Sequence, residues 1–168
     1  MSGSSKLNDE IRALHAAGED ERASDPLAAR KKAMDLLARR EHAAGELERK
    51  LSKNGFNADT AADAIAELRR EGLQSDERFV ESFVQSRVNQ GKGPVRIRAE
   101  LGQRGIAEAM TGRILDAAGV DWYALARTTR LQKFGEGVPA DYKEKARQMR
   151  FLQYRGFEPD QIASAVQR

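Results

Sequence analysis

Cysteine is absent from the 168 residues, so the fold has no disulfide to lean on and no thiolate for catalysis or metal binding. Histidine occurs only at His15 and His42. Neither has a second ligand type at metal-binding spacing, so both are expected at the surface and no zinc site or histidine-based nucleophile relay is supported. Aromatic residues make up 6% of the chain, and no apolar run approaches the roughly 20 residues that a membrane-spanning helix needs. The amino terminus, Met-Ser-Gly-Ser-Ser-Lys, turns acidic without a secretory apolar core, which places the expected location in the cytoplasm.

Charge is abundant but nearly balanced, with 29 Lys and Arg against 26 Asp and Glu. Residues 1–84 hold 14 basic and 17 acidic side chains, a net of −3, while residues 85–168 hold 15 and 9, a net of +6. The carboxyl-terminal half is therefore where an anionic partner is to be sought. Carboxylates such as Asp76, Glu77 and Glu81 lie at helical spacing beside Arg78, a pattern that stabilises a helix start and defines no acid/base pair. The turn Gly91-Lys92-Gly93-Pro94 lacks the phosphate-loop pattern and no strand precedes it, so it reads as a turn opening a helix. An enzyme is the function class with the least support.

Only four prolines occur, Pro26, Pro94, Pro139 and Pro159, each near the start of an apolar-periodic stretch, where a missing N–H is tolerated. Gly55, Gly72, Gly91, Gly105, Gly119, Gly135 and Gly156 sit just past such stretches and read as helix stops. Apolar residues recur every three to four positions and no segment alternates for six, so the chain is expected to be all-α.

Three segments repeat. Lys50-Leu51-Ser52-Lys53-Asn54-Gly55-Phe56, Glu100-Leu101-Gly102-Gln103-Arg104-Gly105-Ile106 and Phe151-Leu152-Gln153-Tyr154-Arg155-Gly156-Phe157 share leucine, three residues, glycine and an apolar residue, with glycines 50 and 51 apart. Ten residues past each glycine comes Ile65, Leu115 or Val166, where a following helix turns back to the core. The expected architecture is a tandem array of three tri-helical repeat units, elongated and slightly curved, since units of about 45 residues need neighbours to bury a core. The units span 27–72, 75–119 and 121–167, with helices at 27–41, 44–54 and 58–70, at 76–89, 94–104 and 107–118, and at 121–134, 139–155 and 159–167. Residues 1–24 stand apart: Leu7, Ile11 and Leu14 can line a short helix, and Gly18-Glu19-Asp20-Glu21 suggests a mobile acidic lead-in.

The second and third units carry the basic surplus. From 85 to 113 six cations face Glu100 and Glu108, and from 127 to 155 eight face Glu136, Asp141 and Glu144. Arg87, Lys92, Arg96, Arg98 and Arg104 surround the helix after Pro94, and Lys143, Arg147 and Arg150 lie on the penultimate helix. These eight are the candidate contacts to phosphate or to an acidic protein surface. Some of this charge is expected in intrahelical pairs, such as Glu100 with Arg96 and Arg104. The six phenylalanines follow the core period and read as packing residues. Trp122 and Tyr123 either pack between units two and three, the preferred reading, or present a ring at a partner surface, and Tyr142 and Tyr154 carry no clear signal.

The chain resembles the RecX family of bacterial regulators of the RecA recombinase over about residues 27–167. The resemblance is carried by Leu36-Leu37-Ala38-Arg39-Arg40-Glu41-His42 with Glu46-Leu47 and Lys50-Leu51. It continues through Gly72-Leu73-Gln74-Ser75-Asp76-Glu77-Arg78-Phe79, Ser82-Phe83-Val84 and Arg87, and through Gly91-Lys92-Gly93-Pro94-Val95-Arg96-Ile97-Arg98-Ala99-Glu100-Leu101 with Arg104-Gly105-Ile106. Lys133-Phe134-Gly135, Arg150-Phe151-Leu152 and Arg155-Gly156-Phe157 complete it. Two positions depart from the family pattern: Lys92 stands where an aromatic residue is frequent, and Ala43-Ala44-Gly45 lacks the serine that commonly caps that helix. The resemblance implies a non-enzymatic modulator that lies in the groove of the RecA filament on single-stranded DNA and restrains ATP hydrolysis, strand exchange and filament growth. Separately, the protein is expected to be a monomer without cofactors.

Overall fold

A computed structural model describes residues 3–167, which form ten helices and no strand. They fall into two compact units, Met1–Asp76 and Glu77–Arg168.

The amino-terminal unit contains α1 (Gly3–Ala23), α2 (Pro26–Leu37), α3 (Ala44–Lys53) and α4 (Ala58–Arg70). Where the sequence suggests a mobile acidic lead-in, residues 3–23 form one helix that runs through Gly18 with Leu7, Ile11 and Leu14 exposed. Its last turn is tied down: Asn57 N donates to Ala23 O at 2.8 Å, Arg22 Nη1 donates to Asn54 O at 3.1 Å, and the Arg22 guanidinium covers the Phe56 ring. The α2, α3 and α4 helices bury Ala29, Ala33, Leu47, Leu51, Ile65 and Leu68 against one another. Pro26 opens α2 as expected, with the Asp25 carboxylate accepting from Leu27 N and Ala28 N.

The first unit differs from expectation at the end of α2, which stops at Leu37, four residues early. The released chain turns inward, so that His42, expected at the surface, is 2% exposed and Ala43 1% exposed. Two contacts fix the imidazole: Nδ1 lies 3.0 Å from Arg40 O and Nε2 lies 3.3 Å from Lys50 Nζ. A carbonyl on one side and an ammonium on the other select the neutral ring, with its proton on Nδ1. Gln74 locks the turn by donating to His42 O at 3.1 Å and to Asp76 Oδ1 at 2.9 Å. Asp76 Oδ1 in turn accepts from Ala44 N at 2.9 Å, so a carboxylate 32 residues away supplies the cap that Ala43 lacks.

Burial lowers the His42 pKa below its ordinary 6.5, reinforced by the Arg40 and Lys50 charges and opposed by the Arg40 carbonyl and by Glu46. Between the lowered and ordinary values the unfolded chain binds a proton that the folded chain refuses, so stability rises with pH through that window. Amide exchange in α3 is therefore expected to accelerate as pH falls from about 7 to about 5.5, after correction for intrinsic exchange rates. The variant His42→Gln is expected to flatten that dependence. An unchanged pH profile in the variant contradicts the assignment.

The carboxyl-terminal unit holds α5 (Asp76–Asn89), α6 (Pro94–Gln103), α7 (Glu108–Ala117), α8 (Trp122–Phe134), α9 (Tyr142–Arg155) and α10 (Pro159–Val166). The second repeat buries Phe79, Val80, Phe83, Ile97, Leu101 and Leu115, and the third buries Ala126, Leu152, Phe157, Ile162, Ala165 and Val166. Ile65, Leu115 and Val166, singled out by the repeat, are each 4% exposed or less. All seven glycines read as helix stops have positive φ.

Pro139 does not start a helix. The helix begins at Tyr142, because Asp141 accepts from Glu144 N at 2.8 Å and makes a stronger start than proline alone. Phe134 and Phe151 are partly buried, Phe151 packed against the core of the third repeat; their rings meet edge to face at 5.2 Å and are covered by Arg147, Arg155 and Lys133. Tyr123 bonds through its hydroxyl to the Asp160 carboxylate, a clasp inside the third repeat rather than between the second and third.

Candidate basic interface

The eight candidate cations separate into three groups. Arg87 ends α5, Lys92 sits in the turn, and Arg96 and Glu100 lie one turn apart on α6, so the turn brings three cations onto one carboxylate. Arg87 Nε donates to Glu100 Oε2 at 2.9 Å, while Lys92 Nζ and Arg96 Nε approach Oε1 at 3.9 and 3.6 Å. None of these four side chains is more than 30% exposed. Burial alone raises the Glu100 pKa, but the Arg87 hydrogen bond and the charges of Arg87, Lys92 and Arg96 outweigh it and hold the carboxyl below its ordinary range. Burial pushes the Lys92 ammonium down, with Arg96, Arg87 and Arg155 adding to it and Glu100 opposing. Arg104 belongs to the same group: it reaches the Glu100 carbonyl at 3.1 Å, and its guanidinium and that of Arg87 lie over the Phe83 ring at 4.8 and 4.1 Å.

Arg98 points elsewhere and pairs with Glu108 at the start of α7. The third group, Lys143, Arg147 and Arg150, stands at i, i+4 and i+7 on α9, one exposed stripe of a helix. Arg147 pairs with Glu144 at 3.3 Å and remains 61% exposed. Lys143 and Arg150 make no ion pair among the described residues.

The turn and α9 are joined by the main chain. Gly93 N donates to Arg155 O and Val95 N to Gly156 O, both at 2.9 Å. The first free amides of α6 thus satisfy the last free carbonyls of α9, and the two helix dipoles meet head to tail. Arg96 Nη1 donates to Tyr154 O at 3.3 Å and Arg155 Nη1 to Gln90 O at 2.8 Å, reinforcing the joint. The close approach requires glycine on both sides: a Cβ on Gly93 would lie closer than 3.0 Å to the Gly156 carbonyl, and one on Gly156, whose φ is +93°, equally close to Arg96.

Sequence reasoning missed three contributors. Arg155 was counted in the basic surplus but not as part of this joint. Tyr154, 75% exposed, carries the Arg96 guanidinium over its ring at 5.2 Å. Arg130, 6% exposed, donates to Gln148 Oε1 at 2.7 Å and to Gly137 O, holding α8 against α9. Its signal was present in the sequence, since Arg130 lies four residues after the buried Ala126, on the core face of α8.

Among the described residues no group of three His, Asp or Glu side chains is placed to hold a metal, and no helix is long and apolar enough to cross a membrane. Tandem three-helix domains, the last carrying a basic stripe on α9, define a helical-repeat protein. The family models for the first, second and third three-helix domains of RecX match residues 29–68, 75–111 and 120–166. The regulatory protein RecX of Halorhodospira halophila is 49% identical over 139 residues, covering 83% of this chain and 86% of that one. The regulatory protein RecX of Ectopseudomonas mendocina is 48% identical over 138 residues, covering 82% and 92%. The chain belongs to the RecX family. Two crystal structures share the fold, one of a regulatory protein RecX (TM-score 0.71, 20% identity, 94% of this chain and 76% of that one) and one of RecX from Lactobacillus salivarius (TM-score 0.70, 22% identity, 86% and 96%).

Proposed function

We propose that the protein is a non-enzymatic, cytoplasmic regulator of homologous recombination and DNA repair that binds, as a monomer, the RecA filament on single-stranded DNA. In this reading it occupies the filament groove and inhibits ATP hydrolysis, strand exchange and filament extension. Family membership supports the partner, and the α9 stripe is the observation that supports a contact surface. Arg87, Lys92 and Arg96 are already satisfied by Glu100 and form the base of the site, whereas Lys143 and Arg150 make no ion pair among the described residues and Arg147, paired only with Glu144 on its own helix, stays 61% exposed to meet phosphates or carboxylates.

A second reading, a DNA-binding protein that acts without the recombinase, draws on the same stripe, because three cations one turn apart suit a phosphate backbone equally well. Titration against a labelled bare strand and against preformed RecA filament separates them. The filament is expected to bind at least about tenfold more tightly, a difference of about 1.4 kcal/mol. Equal affinity for both favours the second reading.

A further inference from the structure

Three cations and one aromatic ring occupy a single line on α9. Lys143, Arg147, Arg150 and Tyr154 follow each other at i, i+4, i+7 and i+11, all exposed, over about 16 Å of helix. A tyrosine that is 75% exposed contributes little to the core. The Tyr154 ring is nevertheless held in place: the Arg96 guanidinium lies over it at 5.2 Å, and the same guanidinium donates to the Tyr154 carbonyl at 3.3 Å while its Nε faces Glu100 at 3.6 Å. The cation that backs the ring is thus fixed at three points, to the ring, to the main chain under it and to a part-buried carboxylate. The main-chain joint between Gly93 and Arg155 fixes the two helices themselves. The result is a preorganised aromatic surface at the end of a basic track.

We propose that Tyr154, backed by Arg96, is a stacking platform for an unpaired base of single-stranded nucleic acid whose phosphates run along Lys143, Arg147 and Arg150. The proposal rests on the reading of α9 as the contact surface and assigns the chemistry of its ligand. An acidic protein surface would use the three cations but has no need of an exposed ring beside them. A duplex would use the cations too, but its bases offer their faces to one another. Only a single strand uses both halves, because each unpaired base has an open π-face and stacking is indifferent to its identity. Arg96 adds cation–π attraction to the same ring and draws electron density toward its own side.

The test compares two labelled strands of equal length and charge, an oligothymidylate and an abasic strand, by fluorescence anisotropy with the full chain. Tyr154→Ala is expected to weaken oligothymidylate binding about tenfold while leaving the abasic strand within about twofold, and Tyr154→Phe is expected to bind both as the unaltered protein does. The side chain is exposed, and an unchanged circular dichroism melting curve shows that the variant is folded. Equal losses on both strands, no loss on either, or failure of the unaltered protein to bind the oligothymidylate overturns the platform. The same variants are then tested on RecA without DNA and on preformed filament. If Tyr154→Ala loses binding to DNA-free RecA and keeps the oligothymidylate, the ring is a protein contact and the platform is wrong. If the strand pattern holds but the unaltered protein does not prefer filament, the platform stands and the RecA reading fails.

Discussion

Replacing Gly93 with alanine is expected to destabilise the Glu77–Arg168 unit by about 3 kcal/mol, through the loss of two main-chain hydrogen bonds whose groups are left unpaired. Gly93 has φ of −85°, which any residue adopts, so the effect has nothing to do with backbone strain. It arises because the added Cβ would meet the Gly156 carbonyl and Phe157 N closer than 3.0 Å, and main chain cannot move aside as a flexible side chain can. To admit the methyl group the start of α6 must leave the end of α9, which breaks the Gly93–Arg155 and Val95–Gly156 bonds. Trp122 is the only tryptophan and lies in this unit, so its fluorescence during urea unfolding reports the loss selectively. Gly102→Ala is the control: nothing lies within 4 Å of a Cβ there, and alanine in α6 is expected to stabilise by about 0.5 to 1 kcal/mol. A Gly93→Ala variant with an unchanged urea midpoint contradicts the joint.

Reversing the α9 stripe, Lys143→Glu with Arg147→Glu and Arg150→Glu, is expected to weaken filament binding about a hundredfold and to leave stability nearly unchanged. The three side chains are exposed; Arg147 alone gives up an ion pair, with Glu144 at 3.3 Å on a surface where such pairs contribute little, together with its contact over the Phe134 ring. If phosphates are the ligands, removal of three contacts also flattens the dependence of log affinity on log salt by about 2. Comparable reversals in the Glu100 group are a poorer probe. Changing Arg87, Lys92 or Arg96 disturbs a cluster in which burial has already lowered the lysine pKa, so lost binding and lost structure become hard to separate.

Much of this arrangement was legible in the residues. Pro26, Pro94 and Pro159 open helices, the seven glycines close them, and the three leucine-to-glycine segments mark equivalent turns, because each rests on local backbone chemistry. What was not legible depends on pairs distant in sequence. His42 is buried because Gln74, 32 residues later, bonds its carbonyl, and Ala43 needs no cap of its own because Asp76 supplies one. Neither follows from spacing along one helix. The candidate cations were found by charge and period, and the Arg96–Glu100 pair follows from helical geometry. That Glu100 gathers Arg87 and Lys92 as well, and that Arg96 crosses to Tyr154 58 residues away, is set by the turn at Gly91–Gly93 and by the glycine contact with α9. Tyr154 carried no signal in the sequence for that reason: its meaning comes from the guanidinium over it.

In the proposed reading the exposed stripe of α9, rather than the internally paired cluster on α6, brings the protein onto the recombinase filament. The DNA-dependent ATPase of purified RecA, assayed side by side with substoichiometric amounts of the unaltered protein and of the α9 triple reversal, decides between the two surfaces. The unaltered protein is expected to inhibit hydrolysis at ratios well below one per RecA, and the triple reversal to lose that inhibition while unfolding at the same urea concentration. Equal inhibition by both proteins contradicts the claim.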